Sequence, residues 1–159
     1  MALNHILGGG SFTSRLYDQV REKRGLAYSV HTSLDPLDHA AMIVGGAGTA
    51  NERAGETVAV IREQWRRMAE EGVTDHELTD AKTYLTGSFP LRFTSSDRIA
   101  RILVAMQMED LGIDYLDRRN GLIEAVTLDD VNRLAATLLD PAALTFVVAG
   151  QPEGITATQ

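Results

Sequence analysis

The chain has no cysteine, which excludes disulfides, thiol nucleophiles and thiolate-bound zinc while leaving both reducing and oxidising compartments open. None of its apolar runs approaches the ~20 residues that a membrane-spanning helix needs, so no membrane span is expected. Cations are the minority: 15 Lys and Arg against 22 Asp and Glu leave a formal net charge of −7. That balance repels a phosphate backbone and favours basic partners over nucleic acid. Three motifs are missing as well. There is no HxxEH to set two imidazoles on one helical face for zinc, no GxSxG elbow and no GxxxxGK[ST] phosphate loop.

What remains is a 159-residue chain with 44% hydrophobic residues, the size of one domain with a single core. Leu3, Ile6 and Leu7 have helical spacing without a preceding cap, so the chain is expected to be a piece of something longer. A loop is expected over Gly8, Gly9, Gly10 and Ser11, because consecutive glycines are costly to order. Residues 14 to 23 read as a helix with Leu16, Tyr17 and Val20 inward and Gly25 as its stop; Arg21 lies one turn past Tyr17. Residues 27–34 suit a strand in which Tyr28, Val30 and Thr32 alternate against Ser29, His31 and Ser33. "DPLD" then supplies a turn into a second strand over 39–47, making an antiparallel hairpin.

Helices fill most of the remainder. Ala54, Val58, Ile61, Trp65 and Met68 mark one, capped by Asn51 and ended by Gly72. Thr74 to Glu77 has capping-box form before Leu78, Ala81 and Leu85. Ser96 or Asp97 can cap the next helix, and residues 114–126 and the stretch opened by Thr127 to Asp130 give two more. Residues 143–149, "ALTFVVA", are expected to be a buried strand returning to the hairpin. The sum is an α+β domain, residues 1–159, with a sheet covered on one face by helices. Three strands are few for so many helices, so a strand ahead of Met1 is expected.

No metal ligand set emerges: His5, His31, His39 and His76 are scattered. The glycine run at Gly8, Gly9 and Gly10 could hold an anion through its amides, although no recognisable strand precedes it. The acidic pairs Glu70–Glu71, Glu109–Asp110 and Asp129–Asp130 fit solvated faces and helix termini. Arg21 at a helix end and Tyr28 at a strand start, seven residues apart across one tight turn, could converge. Both donate hydrogen bonds, and such a pair can grip a peptide carbonyl or stabilise charge developing on it. The alternative is a solvated arginine and a tyrosine that merely fills a strand position.

The runs "NHILGGGSFTSRLYDQVREKRGLAYSV", "GIDYLDRRNGLIEAVTLDDVNRLAATLL" and "LTFVVAGQP" resemble the C-terminal, non-metal half of the M16 zinc peptidases, the pitrilysin, insulinase and mitochondrial processing peptidase family. The resemblance implies two homologous α+β halves closing like a clam shell, with zinc on the other half. It assigns Arg21 and Tyr28 to holding the substrate backbone near that metal while the peptide adds as a strand to the zinc half. It implies no zinc on this chain and no peptidase activity of the chain alone. Its partners would be a peptide, by charge a basic one, and a zinc-bearing domain or subunit.

The family half begins with a strand and helix that are missing here. A sheet edge left bare in this way could also pair with a second copy of the chain. The wording is closest to bacterial chains that lack zinc and pair with a separate zinc-bearing subunit, in periplasm or cytoplasm; a two-domain peptidase is the other arrangement. Two rivals stand beside this reading. One is a non-catalytic α+β binding or assembly module using the glycine loop for an anion, and the other is a scaffolding subunit without substrate contact.

Overall fold

The computed structural model describes residues 1–37 and 39–156. A first helical segment, α1 (Ala2–Asn4), continues without a break into a wide π-turn over His5–Gly9, closed by the Gly10 N–H donating to the His5 carbonyl at 2.8 Å. The loop expected from Gly8 is therefore a continuation of the helix. The glycines are there for proximity: a Cβ on Gly8 would sit 2.6 Å from Thr32 Oγ1, and one on Gly9 2.5 Å from Asn4 Nδ2.

After a short 3₁₀ turn (Ser11–Thr13), buried Ser14 opens a second helical stretch, its hydroxyl accepting from the Tyr17 N–H at 3.4 Å. This stretch also widens into a π-turn, Tyr17–Glu22, with the Lys23 N–H donating to Asp18 O. Leu16, Tyr17 and Val20 point inward as their spacing predicts.

The hairpin follows. Strands β1 (Ala27–Pro36) and β2 (Ala41–Thr49) are antiparallel, in the register Val30↔Ala47, Thr32↔Gly45 and Leu34↔Ile43. Of the expected "DPLD" turn, Asp35 and Pro36 close β1, and Asp38 lies outside the described residues. One face of the hairpin, carrying Val30 and Thr32, is buried against the helical segments; the other, carrying Ser29, His31, Ser33, Met42 and Val44, is uncovered.

The helical layer consists of α2 (Ala54–Glu71), α3 (Asp75–Gly87), α4 (Ser96–Met108), α5 (Tyr115–Glu124) and α6 (Leu128–Leu138). α2 packs on α6 and α3 on α5. Capping boxes at Thr74 with Glu77 and at Thr127 with Asp130 start α3 and α6 as expected. Gly72, at φ +73°, ends α2 where a side chain would meet Asn132. Ser95, one residue before the expected cap, starts α4. The core joins Leu3, Ile6 and Leu7 to Leu16, Val20, Val30, Trp65, Met68, Leu78, Leu85, Val131 and Leu139. Each such burial is worth about 1.5–3 kcal/mol, so the π-turned start of the chain is welded to the helical layer.

Two further expectations are corrected. Asn51 does not cap α2; its carbonyl accepts from the Glu153 N–H at 2.9 Å and its side chain from the Gln151 N–H at 3.3 Å. The segment 143–149 has no regular secondary structure and pairs with no strand among the described residues, and Val147 is 94% exposed. Leu144 and Phe146 alone face inward, Phe146 lying 5.2 Å beneath the Arg62 guanidinium. A β-rich composition specifies a strand only where a ladder partner is available.

Candidate functional site

The junction between the Tyr17–Glu22 helix and β1 places both candidate residues. Gly25 adopts φ +60°, its N–H donating to Arg21 O at 2.9 Å while the Leu26 N–H reaches back to Val20 O at 2.8 Å. This left-handed cap reverses the chain within a few residues. Arg53 Nη1 donates to Gly25 O at 2.5 Å, and the Thr49 hydroxyl donates to Leu26 O at 2.7 Å, so the residue just before α2 and the end of β2 clamp the reversal. On the other side, Arg15 holds the helix to the start of α3. Its guanidinium donates to both oxygens of Glu77, at 2.5 and 2.7 Å, and to Gly72 O at 2.9 Å. Burial pushes the Glu77 carboxyl up, but the Arg15 fork and the Thr74 cap outweigh it and bring it down to about 2.

Tyr28 does not share the face of Val30 and Thr32, as simple alternation predicts. Ala27 pairs with Thr49 and Ser29 with Gly48, so Tyr28 is the extra residue of a β-bulge. Bulges re-aim a side chain. Here the effect is a phenol 84% exposed beside a strand whose next core residue, Val30, is buried.

Arg21 and Tyr28 are brought together: the Arg21 guanidinium carbon lies 5.4 Å from the Tyr28 ring centroid. It lies 4.9 Å from the ring of Tyr17, a residue that spacing assigned to the core alone. Phe12 meets Tyr17 edge-on at 5.0 Å. The helical i, i+4 spacing of Tyr17 and Arg21 was the available signal.

Gly8, Gly9 and Gly10 are not part of this constellation. They pack against Thr32, Asn4 and His5, and the Gly10 amide is spent on the His5 carbonyl. Among the described residues no group of three or more His, Asp or Glu side chains is placed to hold a metal ion. No helix among them is long and apolar enough to cross a membrane.

Comparison with known proteins agrees with this architecture. Residues 1–85 match the family model described as the peptidase M16 inactive domain. An uncharacterized zinc protease of Streptomyces coelicolor is 32% identical over 140 residues, covering 86% of this chain and 30% of that one. A non-peptidase homolog, YmxG of Helicobacter pylori, is 39% identical over 144 residues, covering 90% of this chain and 33% of its own. Among solved structures, a peptidase M16 inactive domain from Pseudomonas fluorescens superposes with a TM-score of 0.73 at 31% identity, over 88% of this chain and 33% of that one. The chain thus spans about a third of the length of the curated relatives it matches. With a family model over more than half its residues and an α+β architecture shared with a solved member, the chain belongs to the M16 peptidase family, as an inactive domain of that family.

Proposed function

We propose that this chain is the substrate-gripping half of an M16-type zinc endopeptidase, a single domain that completes the active site of a zinc-bearing domain or subunit. The observation that carries the reading is the meeting of Arg21 with the exposed phenol of Tyr28, on an open surface beside the uncovered face of the hairpin. A guanidinium and a phenol supply donors without an acceptor charge between them, which suits a peptide carbonyl and the negative charge that grows on its oxygen during attack. Zinc on the other half would supply the activated water. This chain's own residues bind the backbone and orient the carbonyl. The net charge of −7 favours basic peptides.

The rival reading, an anion held by the glycine run, has little support, since those glycines serve close packing and one amide is already engaged. The edges of the two-stranded sheet, paired with no other strand among the described residues, can receive a strand from the zinc half or from a second copy of the chain.

The test is peptide turnover by the full-length protein assembled with its zinc-bearing half. Arg21→Ala and Tyr28→Phe should each lower kcat by about tenfold to a thousandfold with assembly intact. Turnover unchanged in both variants would leave a scaffolding role.

A further inference from the structure

The run "DQVREKRG" carries four charged side chains around Arg21, yet Arg21 pairs with none of the carboxylates among the described residues. The reason is local. Asp18, the acid one turn earlier, is taken by Lys23 at 2.7 Å and by the Gln19 amide at 2.8 Å. Gln19 in turn accepts from Arg24 through its side-chain oxygen at 2.7 Å and its backbone carbonyl at 2.9 Å. The neighbouring cations and acceptors satisfy one another, and Arg21 is left to lie among aromatic rings.

Tyr17 is the fixed one of those rings. It is 7% exposed, whereas Tyr28 is 84% exposed. Phe12 meets Tyr17 edge-on with the planes 77° apart. Burial pushes the Tyr17 phenol up from its ordinary value, and the Arg21 charge beside it pulls against that rise. The phenol is thus neutral at physiological pH and its ring stays an uncharged face.

Resting on the function proposed above, we infer that Tyr17 is a positioning residue for Arg21: its ring, 4.9 Å from the guanidinium carbon, fixes the plane of the guanidinium while spending none of its charge on a carboxylate. A cation held through a ring face keeps its N–H donors, which lie in the guanidinium plane, available to a carbonyl. An ion pair would have occupied them. Tyr17 touches no substrate in this account. It determines where the donors of Arg21 point, and therefore how well they meet an oxygen whose charge rises in the transition state.

The experiment combines turnover of the assembled full-length protein with an NMR reading of the Arg21 Nε–H group. In the wild type that resonance should be displaced by ring currents relative to the Nε–H of Arg24, which lies on no ring. Tyr17→Phe keeps the ring and should hold both the resonance and kcat within about twofold. Tyr17→Leu should return the resonance toward that of an unstacked arginine and lower kcat about tenfold, with KM changed little. An undisplaced Arg21 resonance in the wild type would overturn the inference without any variant. So would a folded Tyr17→Leu protein with wild-type kcat, or a Tyr17→Phe protein as impaired as Tyr17→Leu. If Arg21→Ala leaves turnover intact, the functional reading fails, while the resonance still reports whether Tyr17 holds the guanidinium.

Discussion

Of the three arginines that lie over aromatic rings among the described residues, Arg119 and Arg21 make the sharpest contrast. Arg119 on α5 is 4% exposed, its guanidinium 3.8 Å from the Phe89 centroid and Nη1 donating to Leu85 O at 3.0 Å. It ties the end of α3 to α5, and its reach is turned inward. Arg21 has the same kind of neighbour but lies at the surface, with Tyr28 on the solvent side. One region uses a cation to close the interior; the other leaves one beside an exposed phenol, where the proposed function gives it a peptide carbonyl to meet. Arg15 stands between them, forked onto Glu77 and fixing the helix that bears Arg21.

Substitutions can break this comparison. Arg119→Ala should cost the most, about 2–4 kcal/mol by chemical denaturation, since it leaves a void beneath Phe89 and an unpartnered Leu85 carbonyl. Glu77→Gln should come next, at roughly 2 kcal/mol at neutral pH. Its pH signature is specific. With the folded-state carboxyl at about 2, against an ordinary 4.5, its contribution is present above about 4.5 and is lost as pH falls from there through about 2. The variant's stability should therefore flatten across that window relative to wild type. Arg21→Ala should change stability least, by about 0.5 kcal/mol or less, while abolishing most turnover. If Arg21→Ala destabilised the chain as much as Arg119→Ala, the distinction between the two would collapse.

The helical layer was legible from sequence because its instructions are local. The two capping boxes, the stripe through Trp65 and Met68 and the stop at Gly72 all act within a turn of themselves. The hairpin and its pairing partner were legible too, from β-rich runs around a turn. The failures share a cause, which is dependence on distant chain. Asn51 is claimed by backbone a hundred residues away rather than by its own helix. Residues 143–149 carry strand composition with no ladder to join among the described residues.

The candidate site was half visible. The spacing of Arg21 and Tyr28 suggested that they meet, but alternation put Tyr28 on the same face as Val30 and Thr32. Only the bulge against Gly48 and Thr49, an irregularity of pairing that no residue type announces, turns it outward. Tyr17 was hidden for a different reason: a buried ring that also stacks on a cation satisfies the core stripe and the site at once.

The most direct test of the central claim is photo-crosslinking from position 28. Tyr28→p-benzoylphenylalanine retains an exposed aromatic at the bulge, and removing zinc from the assembled full-length protein keeps bound peptide uncleaved. The account predicts covalent capture of a basic peptide from position 28, and none from the same group at Ile113, 97% exposed on the loop between α4 and α5. Equal capture from both positions, or none from position 28 while the peptide is bound, would contradict it.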